Sequence, residues 1–171
     1  MHNRIFLIII LLLLSCLFAI GQNNTPIALG DFAGKWKADM EKSFSSSERK
    51  KIADYTVVVS ESNGTLNIVS GFMRDGIPTR MNDVYLIDGK EHSLDDIFGD
   101  VRAYTGRLKG TTIKITFHNS LGQNRTIYLD QRTFKLSSDK KVFTIETVRR
   151  SARPGDASNS DTKRLVLLRQ N

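Results

Sequence analysis

The chain has 171 residues, with 25 Lys and Arg against 18 Asp and Glu, a formal net charge of +7, and a single cysteine. That length suits one domain with a sizeable core. Its only thiol, Cys16, lies in an apolar leader, so the remainder has no disulfide framework, zinc–thiolate site or thiol nucleophile. The positive balance reads first as a soluble basic surface. Lys and Arg fall in short pairs such as Lys140-Lys141, Arg149-Arg150 and Lys163-Arg164, with acids between them. No basic helix or aromatic nucleic-acid strand occurs, so nucleic acid is not expected as a partner. Weak attraction to an anionic envelope polymer or lipid headgroup stays open.

Met1 to Arg4 is a weakly basic start, and Ile5 to Ile20 is an almost unbroken apolar run. Ala19-Ile20-Gly21 then gives the small-x-small pattern that a signal peptidase reads. Residues 1–21 are expected as a signal peptide, 22–33 as an N-terminal lead and 34–171 as the folded domain. The protein is therefore expected to be exported, periplasmic or secreted. The apolar run falls short of the ~20 residues that span a bilayer, so no stable membrane span is expected after cleavage. Leu13-Leu14-Ser15-Cys16 resembles a lipobox, which makes a lipoprotein anchored through Cys16 the alternative. Against it, the apolar run continues through Leu17, Phe18 and Ile20.

Beyond the lead, short β-rich segments alternate with turn signals. Lys35 to Glu41 comes first, with Trp36, Ala38 and Met40 alternating with Lys37, Asp39 and Glu41. Ser43 to Lys51 is a polar connection. Tyr55 to Glu61 and Thr65 to Phe72 form a hairpin across Asn63-Gly64, the strongest short hairpin signal. Arg74-Asp75-Gly76 turns into Thr79 to Ile87, and Asp88-Gly89 into Lys90 to Ser93. Asp95 to Asp100 is an acidic loop. Val101 to Leu108 and Thr111 to His118 pair across Lys109-Gly110, followed by Arg125 to Leu136 and Val142 to Val148. Ser151 to Asp161 is a loop, and Lys163 to Leu168 closes the chain. About ten strands with short connections predict a single antiparallel meander that closes as an all-β barrel, with a β-sandwich as the alternative.

Gly34-Lys35-Trp36 is the G-x-W of lipocalin-like barrels, and the stretch through Lys42-Ser43-Phe44 resembles the opening of small secreted bacterial proteins of lipocalin-like type. Further similarity runs through Asp88-Gly89-Lys90, Arg107 to Phe117 and Leu136 to Thr144. The resemblance implies a calycin-type barrel able to hold a ligand cavity, and it implies no reaction. It also implies a plug at the closed barrel end. Trp36 would pack there, with Gly34 allowing close approach and Arg169 covering the ring, Arg164 in reserve.

Catalysis has little support. His92 and His118 stand apart, with no H-x-H or H-E-x-x-H spacing, and no G-x-S-x-G elbow or Walker loop is present. Asp95, Asp96 and Asp100 near Glu91 match no EF-hand spacing and read as a solvated loop. No metal or cofactor is expected, and the chain is not expected to be an enzyme. Phe72, Tyr85, Tyr104, Phe117, Tyr128 and Phe143 fall on strands, where an inward apolar stripe is ordinary core packing. The nominees for a cavity wall are Met40, Phe72, Met81, Tyr104 and Phe117. The expected function is an exported binding protein for a small apolar or amphipathic ligand. The alternative is a surface-acting interaction or inhibitor module of the envelope, with no internal ligand, working through the segments Ser43 to Lys51 and Ser151 to Asp161.

Overall fold

The computed structural model describes residues 26–45, 52–95, 101–118, 128–151 and 160–171. The leader with Cys16 lies outside them, as do Asp96, Asp100 and the middle of both long segments. A 3₁₀ turn, Leu29–Phe32, precedes the strands β1 (Gly34–Ala38), β2 (Phe44–Ser45), β3 (Ile52–Ser62), β4 (Thr65–Arg74), β5 (Ile77–Leu86) and β6 (Glu91–Asp95). β7 (Val101–Lys109), β8 (Thr112–His118), β9 (Tyr128–Leu136), β10 (Val142–Ser151) and β11 (Ser160–Arg169) complete the chain.

Period-two alternation forms the wall. On β3, Tyr55, Val57 and Val59 are buried while Thr56, Val58 and Ser60 are exposed; on β8, Ile113, Ile115 and Phe117 are buried around exposed Lys114. That pattern fits a sheet with one dry and one wet face. Asn63-Gly64 and Asp75-Gly76 both have two successive positive φ angles (51° and 76°, 52° and 80°), the conformation that two-residue hairpins need to match strand twist.

All strands belong to one antiparallel sheet in the order β5-β4-β3-β1-β11-β10-β9-β8-β7-β6, with β2 added beside β11. The N-terminal strand thus sits mid-path, with Trp36 opposite Val57 on β3 and Arg169 on β11. The path ends, β5 and β6, are not paired with each other. The sheet nevertheless curls, bringing the end of β5 and the turn after it against β7. The Leu86 N–H donates to the Tyr104 hydroxyl at 2.9 Å, and the Gly89 N–H donates to the Gly106 carbonyl at 2.9 Å. A Cβ at Gly106 would lie 2.8 Å from the Leu86 carbonyl oxygen, so this closure needs glycine. Tyr85 of β5 then packs against Tyr104, Phe117 and Phe134 from the far side, with ring centroids 5.5 to 6.1 Å apart.

Several boundaries differ from the sequence reading. β1 ends at Ala38 instead of running to Glu41, because Asp39 turns the chain: its carboxylate accepts from the Lys42 N–H at 3.3 Å and the Lys42 ammonium at 2.8 Å. The polar connection contains β2, and the Ser43 hydroxyl accepts the Val166 N–H at 3.0 Å. β10 runs on to Ser151 and β11 starts at Ser160, narrowing the last loop. The 3₁₀ turn, assigned to the lead, supplies Phe32, which is fully buried. Among the described residues no helix is long and apolar enough to cross a membrane.

Candidate functional site

The two barrel ends are built differently. At the closed end the 3₁₀ turn folds beneath the barrel, and the Trp36 indole N–H donates to the Phe32 carbonyl at 3.1 Å. Trp36 is 1% exposed and meets the Phe143 ring at 5.2 Å, while Phe32 meets Phe143 edge-on at 5.8 Å. The Arg169 guanidinium lies 4.3 Å over the Trp36 ring. It also donates to the carbonyls of Lys140 (2.9 Å), Ala33 (3.2 Å) and Asp31 (2.7 Å). A Cβ at Gly34, whose φ is +144°, would come within 3.1 Å of that guanidinium. The Asp31 carboxylate accepts from the Lys140 ammonium at 2.8 Å and the Ala28 N–H at 2.9 Å. The Lys140 hydrogen bond first, then the Ala28 N–H, holds its carboxyl below the ordinary carboxylate range.

Arg164, the reserve residue, is not part of this arrangement. It is exposed on the outer face opposite Glu146, because it alternates with inward Leu165 and is thus out of phase with Arg169.

The other end opens to solvent around a cavity of about 350 Å³. Its apolar wall includes Tyr55, Ile68, Phe72, Phe134, Ile145 and Leu165, and Tyr55 and Phe72 stack at 5.0 Å with their planes 4° apart. Polar groups share the lining: Ser70, Asp83, Arg132, Thr147, Arg149 and Lys163. Arg132 forms an ion pair with Asp83 at 3.0 Å, both side chains being about a quarter exposed (27% and 28%). It also donates to the Tyr85 hydroxyl and lies 5.4 Å from the Phe117 ring centroid. Burial works against the Arg132 charge, but Tyr85 and Asp83 outweigh it, so its pKa rises. Burial pushes the Tyr85 phenol well above its usual value, keeping it a neutral hydroxyl. Near the rim, Arg149 pairs with Asp130 at 3.1 Å.

Of the five residues nominated for a cavity wall, Phe72 and Met81 line this space. Tyr104 and Phe117 are buried but do not line it: they pack around Tyr85, and the hydroxyl of Tyr104 is engaged by Leu86. Met40 does not reach the interior: it is 42% exposed in the turn that Asp39 forms after β1. The inward pairing of Asp83 with Arg132 and of Asp130 with Arg149 was missed. Its signal was parity, since Asp130 and Arg132 share a face with Phe134 and Leu136 on β9.

His92 sits apart from the cavity, 2.8 Å from the Asp88 carboxylate and against the Tyr104 ring. Its hydrogen bond, followed by the Lys90 N–H, lowers the Asp88 pKa. The His118 and Tyr128 side chains lie outside the described ones. Among the described residues no three His, Cys, Asp or Glu side chains gather as a metal site.

No protein-family model and no curated protein matches the sequence. Solved structures match in fold. Fatty-acid-binding protein 1 of Echinococcus granulosus is 8% identical, with 82% of this chain and 98% of that one covered and a TM-score of 0.50. Secretory abundant heat soluble protein 4 of Ramazzottius varieornatus is 10% identical, with 86% and 100% covered and a TM-score of 0.50. The chain shares with them an all-β, antiparallel, barrel-like fold.

Proposed function

We propose that this chain is an exported binding protein whose barrel takes one small amphipathic molecule through its open end. The observation that carries the reading is the cavity of about 350 Å³, within the ~300–1,000 Å³ usual for small-molecule sites. Its Tyr55, Phe72, Phe134 and Leu165 surfaces suit a hydrocarbon portion. Ser70, Thr147 and the Arg132–Asp83 pair offer hydrogen bonds to a polar group. The name of the fatty-acid-binding relative supports an apolar ligand, and the apolar leader supports export. Binding fits better than catalysis because the Arg132, Asp83 and Tyr85 groups are satisfied by one another, and among the described residues no activated nucleophile stands beside them.

The test is native mass spectrometry of protein purified from its own host, followed by titration with a fluorescent fatty-acid analogue. One retained or displaceable molecule per chain is expected. Ser70→Phe, which puts a ring into the cavity from a residue 5% exposed, should abolish binding while the β-sheet spectrum persists. A protein that retains nothing and binds no apolar probe is not a carrier, and neither is one whose Ser70→Phe form binds as well as the parent.

A further inference from the structure

The outer wall sorts its charges in a way that pair-by-pair inspection of the sequence hides. Arg107 on β7 stands directly opposite Lys114 on β8. In the next row toward the closed end, Lys109 on β7 and Lys135 on β9 flank Thr112. All four cations are exposed on the outer face. Directly opposed side chains are ~5 Å apart, and rows two residues apart along a strand lie ~7 Å from each other. The four charges therefore share a small area of wall.

Among the described residues no acid stands directly opposite any of the four. Glu91 on β6 and Glu146 on β10 border the patch on either side, opposite Thr105 and Thr133 and diagonal to Arg107 and Lys135. The acids of β9 and β5 that could have balanced it, Asp130 and Asp83, point inward to Arg149 and Arg132. Arg107 donates to the Gly89 carbonyl at 3.3 Å, which fixes its position without neutralising it. Among the described residues, no ion pair engages any of the four. The opposite wall differs: the outer face of β3, β4 and β5 shows Thr56, Val58, Val69, Asn82 and Val84, with Arg80 its one cation among the described residues.

Like charges placed directly across a ladder oppose sheet formation, and among the described residues only Arg107 of the four makes a side-chain hydrogen bond within the fold. We propose that the outer face of β7, β8 and β9 docks the protein on an anionic lipid surface through Arg107, Lys109, Lys114 and Lys135. The shape selects a surface over a threaded polymer. The four residues stand on the convex outside of a rigid sheet, where a plane touches neighbouring strands together. The patch holds no aromatic side chain on which a base or sugar ring could stack. Attraction of this kind adds up over cations and fades with salt.

The experiment is co-sedimentation of the protein, as its host processes it, with vesicles of phosphatidylcholine alone or mixed with phosphatidylglycerol. Binding to the mixed vesicles only, lost as salt is raised, is expected. Arg107→Gln/Lys114→Gln should weaken it about five-fold per cation removed, and Arg80→Gln on the opposite wall should not change it. Unaltered Trp36 fluorescence in each variant certifies the fold. Equal binding to both vesicle types would overturn the proposal, because it would reflect apolar insertion. So would no binding to mixed vesicles at low salt, full binding by the double variant, or binding to soluble heparin without binding to vesicles.

Discussion

The two ends of the barrel use the same residue types, an arginine over aromatic rings, to opposite effect. At the closed end Arg169 spends its donors on three backbone carbonyls, partners that cannot move without unfolding the 3₁₀ turn or the β9–β10 connection. At the open end Arg132 faces the buried Tyr85 phenol and the Asp83 carboxylate, and the partly exposed Asp83 and Arg132 side chains line the cavity, within reach of water and of anything entering it. The first arginine ties three chain segments together. The second belongs to a polar pair on the cavity wall. Rigidity at one end and a ligand-accessible polar pair at the other fit the proposed binding role, since a site must be held open by elements that do not follow the ligand.

Substitutions sharpen that contrast. Trp36→Ala should have the largest effect, about 3–5 kcal/mol in urea unfolding, because it removes a fully buried ring that Phe32, Phe143 and Arg169 all contact. A loss under ~1 kcal/mol would deny the closed end its structural role. Arg169→Ala comes next, at about 2–3 kcal/mol, since it takes away a cation–π contact and three charge-assisted hydrogen bonds whose carbonyls water can partly reclaim. Phe72→Ala at the open end should cost less, about 2 kcal/mol, although Phe72 is also an aromatic residue in the core cluster. Its ring borders a space that solvent already reaches, so its removal enlarges an existing cavity and opens no new one. The same variant should weaken binding of an apolar probe, whereas Arg169→Ala should leave the affinity of the remaining folded protein unchanged. Equal stability losses for Trp36→Ala and Phe72→Ala would erase the distinction between the ends.

Much of the wall was legible because its signals are local. The Asn63-Gly64 turn and the alternation of Ile113, Ile115 and Phe117 specify strand, turn and facing direction within a few residues. The choice between Arg169 and Arg164 was open to the same logic, since only the odd positions of β11 join Leu165 and Leu167 inside. Met40 shows where local logic fails. It shares the parity of Trp36 and Ala38, and it leaves the wall only because Asp39 finds Lys42 and ends the strand. The inward charges Asp83 and Arg132 come from β5 and β9, which do not pair, so no hairpin rule connects them. The basic face was hidden for a related reason. Arg107, Lys114 and Lys135 are distant in sequence and adjacent only after three strands align, while the visible pairs such as Lys163-Arg164 point to opposite faces.

Acid offers the smallest and most local test of the closed end. Asp31 has a folded-state pKa below its ordinary value, through Lys140 and the Ala28 N–H. A carboxylate so favoured in the fold contributes stability that is fully present above its unfolded pKa and disappears as pH falls through the folded one. The contribution should therefore be intact near neutrality and decline from about pH 4 downward. Asp31 is partly exposed, with 24% of its side chain accessible, so solvent screening keeps the effect small. Its site is specific: a protonated Asp31 releases Lys140, whose carbonyl holds Arg169, and the first change should be felt by Trp36. As the chain's only tryptophan, Trp36 reports this directly by fluorescence. Asp31→Asn should lower stability slightly near neutrality and flatten the acid-dependent part of the Trp36 signal, while Asp88→Asn, at the far His92 turn, should leave that signal as it was. If Asp31→Asn keeps the parent's acid response in full, the coupling from Asp31 through Lys140 to the Trp36 plug does not exist.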